Sequence, residues 1–111
     1  MHRLPVAPPP EVARMIHCVW PRFDVGHGGP RKAVRVARCE SGLRWDAYGN
    51  GNGGVFQHRL VYWPGRYDSF IGSNPLRRSW GLGESVYNAR TNVIVSALYV
   101  RRLGWSAWTC G

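Results

Sequence analysis

Lysine is nearly missing from this sequence, and acidic residues are few. Lys32 is the one lysine among fifteen basic residues, and six residues are acidic, which leaves a formal net charge of +9. An excess of this size predicts an anionic partner: a nucleic acid, a membrane surface or an acidic wall polymer. Solubility alone is the alternative explanation. Because the arginines are spread along the chain, the sequence does not indicate a terminal arm that binds nucleic acid.

Long apolar stretches are missing as well. No run approaches the ~18 residues that a transmembrane helix needs, so we expect no membrane insertion. The basic residues at the start are not followed by an apolar stretch, and we therefore expect no secretory signal peptide. The length of 111 residues, 44% of them apolar, suits one domain with a modest core. Four of the eight prolines lie in residues 1–10, which predicts a Pro-rich extended arm before a domain over residues 11–111.

Cysteine and histidine do not show the spacing of a metal site. The three cysteines are Cys18, Cys39 and Cys110, no two of which are spaced as in zinc motifs, and the four histidines are scattered. We therefore predict neither a metal ion nor a cofactor. Three cysteines cannot all pair within one chain. One disulfide with a free thiol and three reduced thiols both remain open.

Apolar residues at helical spacing predict three helices. The first begins at Glu11 and is ended by Pro21, and the second covers about residues 30–41. A last helix is predicted from about Val86 to Leu103, with arginines in its final turn and a glycine after it. These helices predict a mainly α domain.

Glycine and proline mark the segments between the helices. Residues 42–54 hold five of the fourteen glycines, which favours a tight turn, a hairpin tip or close approach of a ligand to the backbone. Residues 55–63 are apolar and aromatic and fit either a strand or a short helix. Further loops are predicted at residues 64–65 and 72–75.

One carboxylate falls on the apolar side of the second helix. The opposite face is basic and consists of Arg31, Lys32, Arg35 and Arg38. Glu40 comes four residues after Val36 and three after Ala37, so it belongs to the apolar stripe. A carboxylate there is costly unless it is satisfied or neutral. The alternative is a boundary glutamate that caps the helix or pairs with an arginine.

Three motifs follow one another in the chain: Cys-Glu-Ser at residues 39–41, Gly-Val-Phe-Gln at 54–57 and Trp-Thr-Cys-Gly at 108–111. Together they resemble the lysozyme-like transglycosylase superfamily, in particular the small domains of resuscitation-promoting factors and of actinobacterial or phage wall hydrolases. The likeness covers about residues 11–111. It implies a mainly α (α+β) fold, in which a small lysozyme-like domain has a catalytic helix, a Gly-rich loop or short hairpin and a C-terminal helix.

The resemblance also implies roles for single residues. Glu40 matches the catalytic glutamate, and a disulfide between Cys39 and Cys110 would tie the C-terminal end to the motif. Cys18 would then stay a free core thiol on the first helix. An acid that protonates a leaving oxygen must keep its proton near neutral pH, and an apolar surround favours that form of a carboxyl group. The place of Glu40 in the apolar stripe predicts such a surround.

Aromatic and amide residues near the glycines predict a glycan groove. Aromatic rings stack on sugar faces, and amides hydrogen-bond to N-acetyl groups. The candidates are Trp45, Tyr48, Asn50 and Gln57, and for each aromatic among them core packing is the alternative. By similarity to related transglycosylases, Tyr99 is a further candidate as a hydrogen-bond donor to the Glu40 carboxyl.

A second carboxylate has no counterpart that the resemblance transfers. Asp46 and Asp68 are the candidates. If one of them faces Glu40, its separation from Glu40 distinguishes retaining from inverting hydrolysis. If neither does, groups of the substrate itself assist and the product is a 1,6-anhydromuramoyl sugar.

These features together suggest a muramidase or lytic transglycosylase that cleaves peptidoglycan glycan strands at the MurNAc–GlcNAc bond. The expected absence of a signal peptide favours a phage-encoded protein in the virion, at the tail tip, which acts at the host cell wall alongside other tail proteins. The first alternative is a non-catalytic lysozyme-like part of a phage tail with a structural or glycan-binding role. A basic nucleic-acid module is the other alternative, but it leaves the spacing of the Cys-Glu-Ser and Trp-Thr-Cys-Gly motifs without a purpose, so we expect no nucleic-acid partner.

Overall fold

Two amphipathic helices pack against each other at the start of the described chain, which in this computed structural model comprises residues 7–111. Helix α1 covers Pro9–Arg22 and helix α2 covers Gly29–Ser41. Their buried residues recur at helical spacing: Val12, Ile16, Val19 and Trp20 on α1, and Ala33, Val34, Val36 and Ala37 on α2. The predicted second helix is thus confirmed, with a start one residue earlier than expected.

Helix α1 extends further than its prolines suggested. It begins at Pro9, inside the predicted extended arm, because the first turn needs no backbone N–H from proline and its fixed φ suits a helix. Pro21 lies within the last turn instead of ending the helix. Ala7 is buried against the core. The rest of the predicted arm, residues 1–6, lies outside the described residues.

A small antiparallel sheet follows α2. Its strands β1 (Tyr48–Gly49), β2 (Asn52–Gly53) and β3 (His58–Arg59) pair in that order. Asn50 and Gly51 form the turn between β1 and β2, with φ of 52° and 77°. Two left-handed residues are what a type I′ hairpin turn requires, and Asn-Gly supplies them at low cost. Of the alternatives for the glycine-rich segment, the structure thus has the hairpin, and β3 is a strand within residues 55–63.

Short helical segments occupy a region where the sequence predicted loops. Helix α3 covers Trp63–Tyr67, a π-helical turn covers Asp68–Gly72, and helix α4 covers Leu76–Ser79. The loop predicted at residues 64–65 is wrong, because Pro64 lies in the first turn of α3, where proline is tolerated. The buried rings of Trp63 and Tyr67 hold α3 to the core, a tertiary effect that local sequence signals do not report.

Helix α5 (Ala89–Leu103) forms the centre of the domain, and nearly all of its residues up to Val100 are buried. It begins three residues later than predicted because the side chain of Asn88 accepts a hydrogen bond from the Thr91 N–H at 3.0 Å and caps it. About half of the described residues are helical, and together with the three-stranded sheet they form a small α+β domain. No helix within residues 7–111 has the length and apolar character needed to cross a membrane.

At Gly54 the segment that follows the hairpin packs very closely against the start of α5. Its φ is 82°, and a Cβ there would overlap both the carbonyl oxygen of Val86 and the side-chain nitrogen of Asn92. The Asn92 amide is fully buried, accepts from the Phe56 N–H at 3.0 Å and donates to the Val86 oxygen at 2.9 Å. Any side chain at position 54 would displace this amide and with it the segment that leads to Gln57.

We therefore expect Gly54→Ala to lower the free energy of unfolding by about 2–4 kcal/mol, through a left-handed backbone cost plus the lost Asn92 hydrogen bonds. Gly51→Ala is the matched control, since Gly51 has a similar φ of 77° but no atom within 4 Å of the position that a Cβ would take. It should cost only about 1 kcal/mol. Urea unfolding of both variants measures the difference, and equal losses would contradict the close approach.

Candidate active site

The end of α2 is anchored on both sides of Glu40. Cys39 is bonded to Cys110, which confirms the disulfide that the motifs implied. The Ser41 hydroxyl lies 2.5 Å from the Val55 carbonyl oxygen, to which it donates. The two residues that flank Glu40 are therefore tied to the C-terminal segment and to the glycine-rich segment.

Cys18 is free, as the resemblance implied, but it is exposed and does not lie in the core. The buried stripe of α1 passes through Ile16 and Val19. Cys18 comes two residues after Ile16, about 200° further around the helix, and so falls outside that stripe. The prediction of a core thiol is wrong for this reason.

The Glu40 side chain is half-buried, and one of its oxygens is held by the protein. Oε2 accepts a hydrogen bond from the backbone N–H of Cys110 at 3.3 Å. Oε1 has no partner among the described residues. Glu40 also forms no ion pair with an arginine in residues 7–111, and a carboxylate is unfavourable at a helix C-terminus, so the cap and ion-pair alternatives lack support.

The expected apolar surround of Glu40 is incomplete. Ala37, one turn earlier on α2, is fully buried, whereas Glu40 lies where that buried stripe reaches the surface. The stripe ends there because α2 itself ends at Ser41. The carboxyl therefore lies at the edge of the core, beside open space.

Two cavities meet at Glu40. One has a volume of about 790 Å³ and lies between the end of α2 and the hairpin. The other has a volume of about 270 Å³ and lies between Glu40, α3 and the C-terminal segment. Glu40, Asn52 and Gln57 line both. The two cavities are therefore adjoining parts of one cleft, with Glu40 at the junction.

The larger cavity contains most of the predicted substrate-binding residues. Tyr48 and Asn50 line it, and Tyr48 is 66% exposed. Asp46 lines it too, with a carboxylate oxygen 3.7 Å from Nε of Arg44. Trp45 does not line either cavity, because its ring is partly buried against the core. For Trp45, the core-packing alternative is the one that the structure supports.

Gln57 is held in a fixed position at the junction. Its backbone has a φ of 52°, and its side-chain NH₂ donates to the carbonyl oxygens of Ala47 and Gly54, both at 3.0 Å. Both amide hydrogens are thus used by the two residues that flank the hairpin. The side-chain carbonyl oxygen is left as an acceptor for a ligand in the cleft.

The smaller cavity is lined by residues that sequence reasoning missed. They include Arg59, Tyr62, Arg66 and Thr109, which come from β3, α3 and the C-terminal segment. Asn52, shared by both cavities, was missed as well. The one local signal was a Tyr-Trp pair between two arginines over residues 59–66, but only packing brings that segment next to Glu40.

Two other candidates line neither cavity. The Tyr99 ring packs against Trp108, with centroids 5.1 Å apart, and no hydrogen bond joins it to Glu40 in the described part of the chain. The predicted role of Tyr99 as donor is therefore wrong, and the backbone N–H of Cys110 takes that place. Asp68 is exposed in the π-helical turn and lines neither cavity, which leaves Asp46 as the second carboxylate of the cleft.

A fully buried histidine lies behind the smaller cavity. Nη1 of Arg66 donates to Nδ1 of His58 at 2.9 Å, and Nε2 of His58 lies 2.7 Å from the Ser96 oxygen. Because the Ser96 hydroxyl donates to the Asn92 carbonyl oxygen at 2.7 Å, it accepts from His58, whose proton is therefore on Nε2. Burial, and then the charge of Arg66, lower the pKa of His58 from 6.5 to about 3. The imidazole is neutral.

Other parts of the molecule offer less to a reaction. A separate cavity of about 800 Å³ lies around residues 72–83, and the described residues that line it include no carboxyl, imidazole or thiol group. Within residues 7–111, no three His, Cys, Asp or Glu side chains lie together as metal ligands would. The acid chemistry of the cleft therefore rests on Glu40 and Asp46.

In comparisons with protein-family models, with curated proteins and with solved structures, the chain has no match. The likeness to lysozyme-like transglycosylases thus rests on the motifs themselves.

Loss of the disulfide is expected to destabilise the domain by about 4 kcal/mol, because it closes a loop with a sequence separation of 71 residues. For a domain of this size the melting temperature should fall by roughly ten degrees or more. Thermal unfolding of the Cys39→Ser/Cys110→Ser double variant tests this. Cys18→Ser is the matched control and should melt like the unmodified chain, and similar melting of all three proteins would contradict the expectation.

His58 should make the domain sensitive to acid. Between pH 6.5 and about 3 the unfolded chain binds a proton at His58 that the folded chain does not, so the free energy of unfolding falls as the pH falls. The expected slope from this group is about 1.4 kcal/mol per pH unit, and it vanishes above about pH 7.

Urea unfolding at several values between pH 4 and 8, for the unmodified chain and for His58→Gln, isolates this contribution. Carboxylate titrations are common to both proteins and cancel in the difference. The variant should be less stable near pH 7 but lose less stability on acidification. Parallel curves would show that His58 is not the group responsible.

Proposed function

We propose that this protein cleaves the MurNAc–GlcNAc bond of peptidoglycan, with Glu40 as the general acid/base. The observation that carries the proposal is the position of the Glu40 carboxyl. It lies at the junction of two cavities, with Oε2 held by the Cys110 N–H and Oε1 without a partner among the described residues. A catalytic acid needs a fixed orientation and one oxygen that reaches the substrate.

The cleft has groups suited to sugars on both sides of Glu40. The exposed ring of Tyr48 lies in the larger cavity and that of Tyr62, 57% exposed, in the smaller one. Such rings offer flat apolar faces for stacking on pyranose rings. The Gln57 carbonyl and the Asn52 side chain are available between them for N-acetyl groups. A glycan strand that lies along the cleft would thus cross Glu40 partway along its length.

In the proposed reaction Glu40 donates its proton to the glycosidic oxygen as the bond to the sugar carbon breaks. Asp46, in the larger cavity, is the candidate for stabilising the developing positive charge or activating water. If Asp46 does not act, the sugar's own 6-hydroxyl attacks the same carbon and returns its proton to Glu40, which gives the anhydro product. The net charge of +9 favours approach to a polyanionic wall.

The proposed setting follows the motifs. The Cys-Glu-Ser and Trp-Thr-Cys-Gly segments are joined by the disulfide, as expected for a small lysozyme-like fold. We propose that the protein is a phage virion component at the tail tip, next to other tail proteins. This placement rests on the likeness to phage wall hydrolases and on the charge.

Glu40→Gln should lower the release of muropeptides from purified peptidoglycan by about 10²–10⁴-fold, since proton donation is lost. The amide keeps an oxygen for the Cys110 N–H, so the melting temperature should change little. Asp68→Asn is the matched control and should keep full activity, because Asp68 lies outside the cleft. Mass spectrometry of the products separates anhydro from reducing ends, and Asp46→Asn reports whether the second carboxylate takes part.

Survival of activity in Glu40→Gln would overturn the assignment. Adsorption to peptidoglycan without release of muropeptides, equal in the unmodified chain and in Glu40→Gln, would instead support the non-catalytic glycan-binding role.

A further inference from the structure

We propose that Arg66 forms a carboxylate-binding subsite in the smaller cavity, which makes the cleft select glycans with acidic peptide branches over neutral glycans. This inference rests on the proposed function of the cleft and adds a substrate class to it.

The Arg66 guanidinium is held in place from several directions. Nη1 donates to Nδ1 of His58 at 2.9 Å, and the guanidinium carbon lies 5.0 Å from the ring centroid of Tyr99 and 5.6 Å from that of Tyr62. Contacts of a guanidinium with two aromatic rings and a fixed acceptor restrict its rotamers. The Arg66 guanidinium is therefore already oriented before a ligand binds, which lowers the entropic cost of binding.

The charge of Arg66 is not neutralised by the protein. Its hydrogen-bond partner is an imidazole whose single proton is on Nε2, because Ser96 accepts there, and burial keeps that ring neutral. The ion pairs within residues 7–111 join Arg44 to Asp46 and Arg77 to Glu84, so no described carboxylate pairs with Arg66. A partly buried cation without an anion is costly, and a bound anion would offset that cost.

The surroundings of Arg66 point to an anion that arrives with the substrate. Arg59 lines the same cavity, so two arginines but only one acidic residue, Glu40, are among its described lining residues. Among described residues only one side-chain nitrogen of Arg66 has a protein acceptor, which leaves guanidinium N–H groups for a ligand. A guanidinium matches a carboxylate through paired N–H···O bonds. Muramic acid carries a lactyl-linked peptide with carboxylates beside the sugar, whereas chitin oligomers carry none.

Binding of two soluble probes tests the proposal. The acidic probe is the GlcNAc–MurNAc disaccharide with a dipeptide branch that has free carboxylates, and the neutral probe is chitotetraose. Dissociation constants are measured by calorimetry or NMR titration for the unmodified chain, Arg66→Gln, Arg66→Lys and the surface control Arg35→Gln. Arg66→Gln should weaken binding of the acidic probe by about tenfold or more and that of chitotetraose by less than about twofold.

The remaining variants keep the test decisive. Arg66→Lys retains the charge without the paired geometry, so it should show an intermediate loss for the acidic probe alone, and it serves if Arg66→Gln does not fold. Arg35, exposed on α2, controls for general charge, and Arg35→Gln should bind both probes like the unmodified chain. Three results would each overturn the subsite. Arg66→Gln could weaken binding of both probes equally, Arg35→Gln could have as large an effect as Arg66→Gln, or the acidic probe could fail to bind.

The outcome is separable from that of the proposed function. Arg66-dependent preference for the acidic probe without release of muropeptides would support the subsite and overturn the cleavage. The opposite outcome is also possible: muropeptide release that depends on Glu40 but not on substrate carboxylates. The unmodified chain and Arg66→Gln would then cleave native peptidoglycan and peptidoglycan with amidated carboxylates equally well. That result would support the cleavage and overturn the subsite.

Discussion

The disulfide from Cys39 to Cys110 and the hydrogen bond from Ser41 to Val55 hold the end of α2 from two directions, and Glu40 lies between them. Each attachment positions one of the segments that line the cleft. The disulfide places the C-terminal segment so that the Cys110 N–H reaches Glu40, and the Ser41 bond places the glycine-rich segment that holds Gln57. Without these attachments a carboxylate in the last turn of a helix would be a surface side chain with many rotamers.

Buried polar groups of α5 hydrogen-bond to the segments that line the cleft and hold them in place. The Asn92 side chain binds the backbone of Phe56 and Val86, and the backbone carbonyl oxygen of Asn92 accepts from Ser96, which in turn accepts from His58. Each of these atoms is satisfied, so the network adds order at no desolvation penalty from unpaired groups. Through His58 the order reaches Arg66 on the floor of the smaller cavity. The core and the candidate site thus share one set of hydrogen bonds.

Features set by short-range patterns were predictable. The apolar repeat of α2 is found as predicted, and the hairpin is one of the alternatives that the glycine-rich segment 42–54 offered; both depend on neighbours within a few residues. Boundaries at proline were less predictable. Pro9 and Pro64 lie in first turns, where proline is acceptable, and Pro21 lies in the last turn of α1. The disulfide followed from the likeness of the motifs, since three cysteines by themselves permit several pairings.

The amino-acid order alone determined the strong positive charge, the amphipathic faces of the helices and the neighbours of Glu40 along the chain. Tertiary structure decided which side chains share a cleft with that carboxyl. It brought in Tyr62 and Arg66 and left Trp45 and Tyr99 in contact with the core. The physical reason is that helical and strand periodicity tells which side of an element is apolar. The proximity of residues 40, 66 and 110 depends on how segments far apart in the chain pack together.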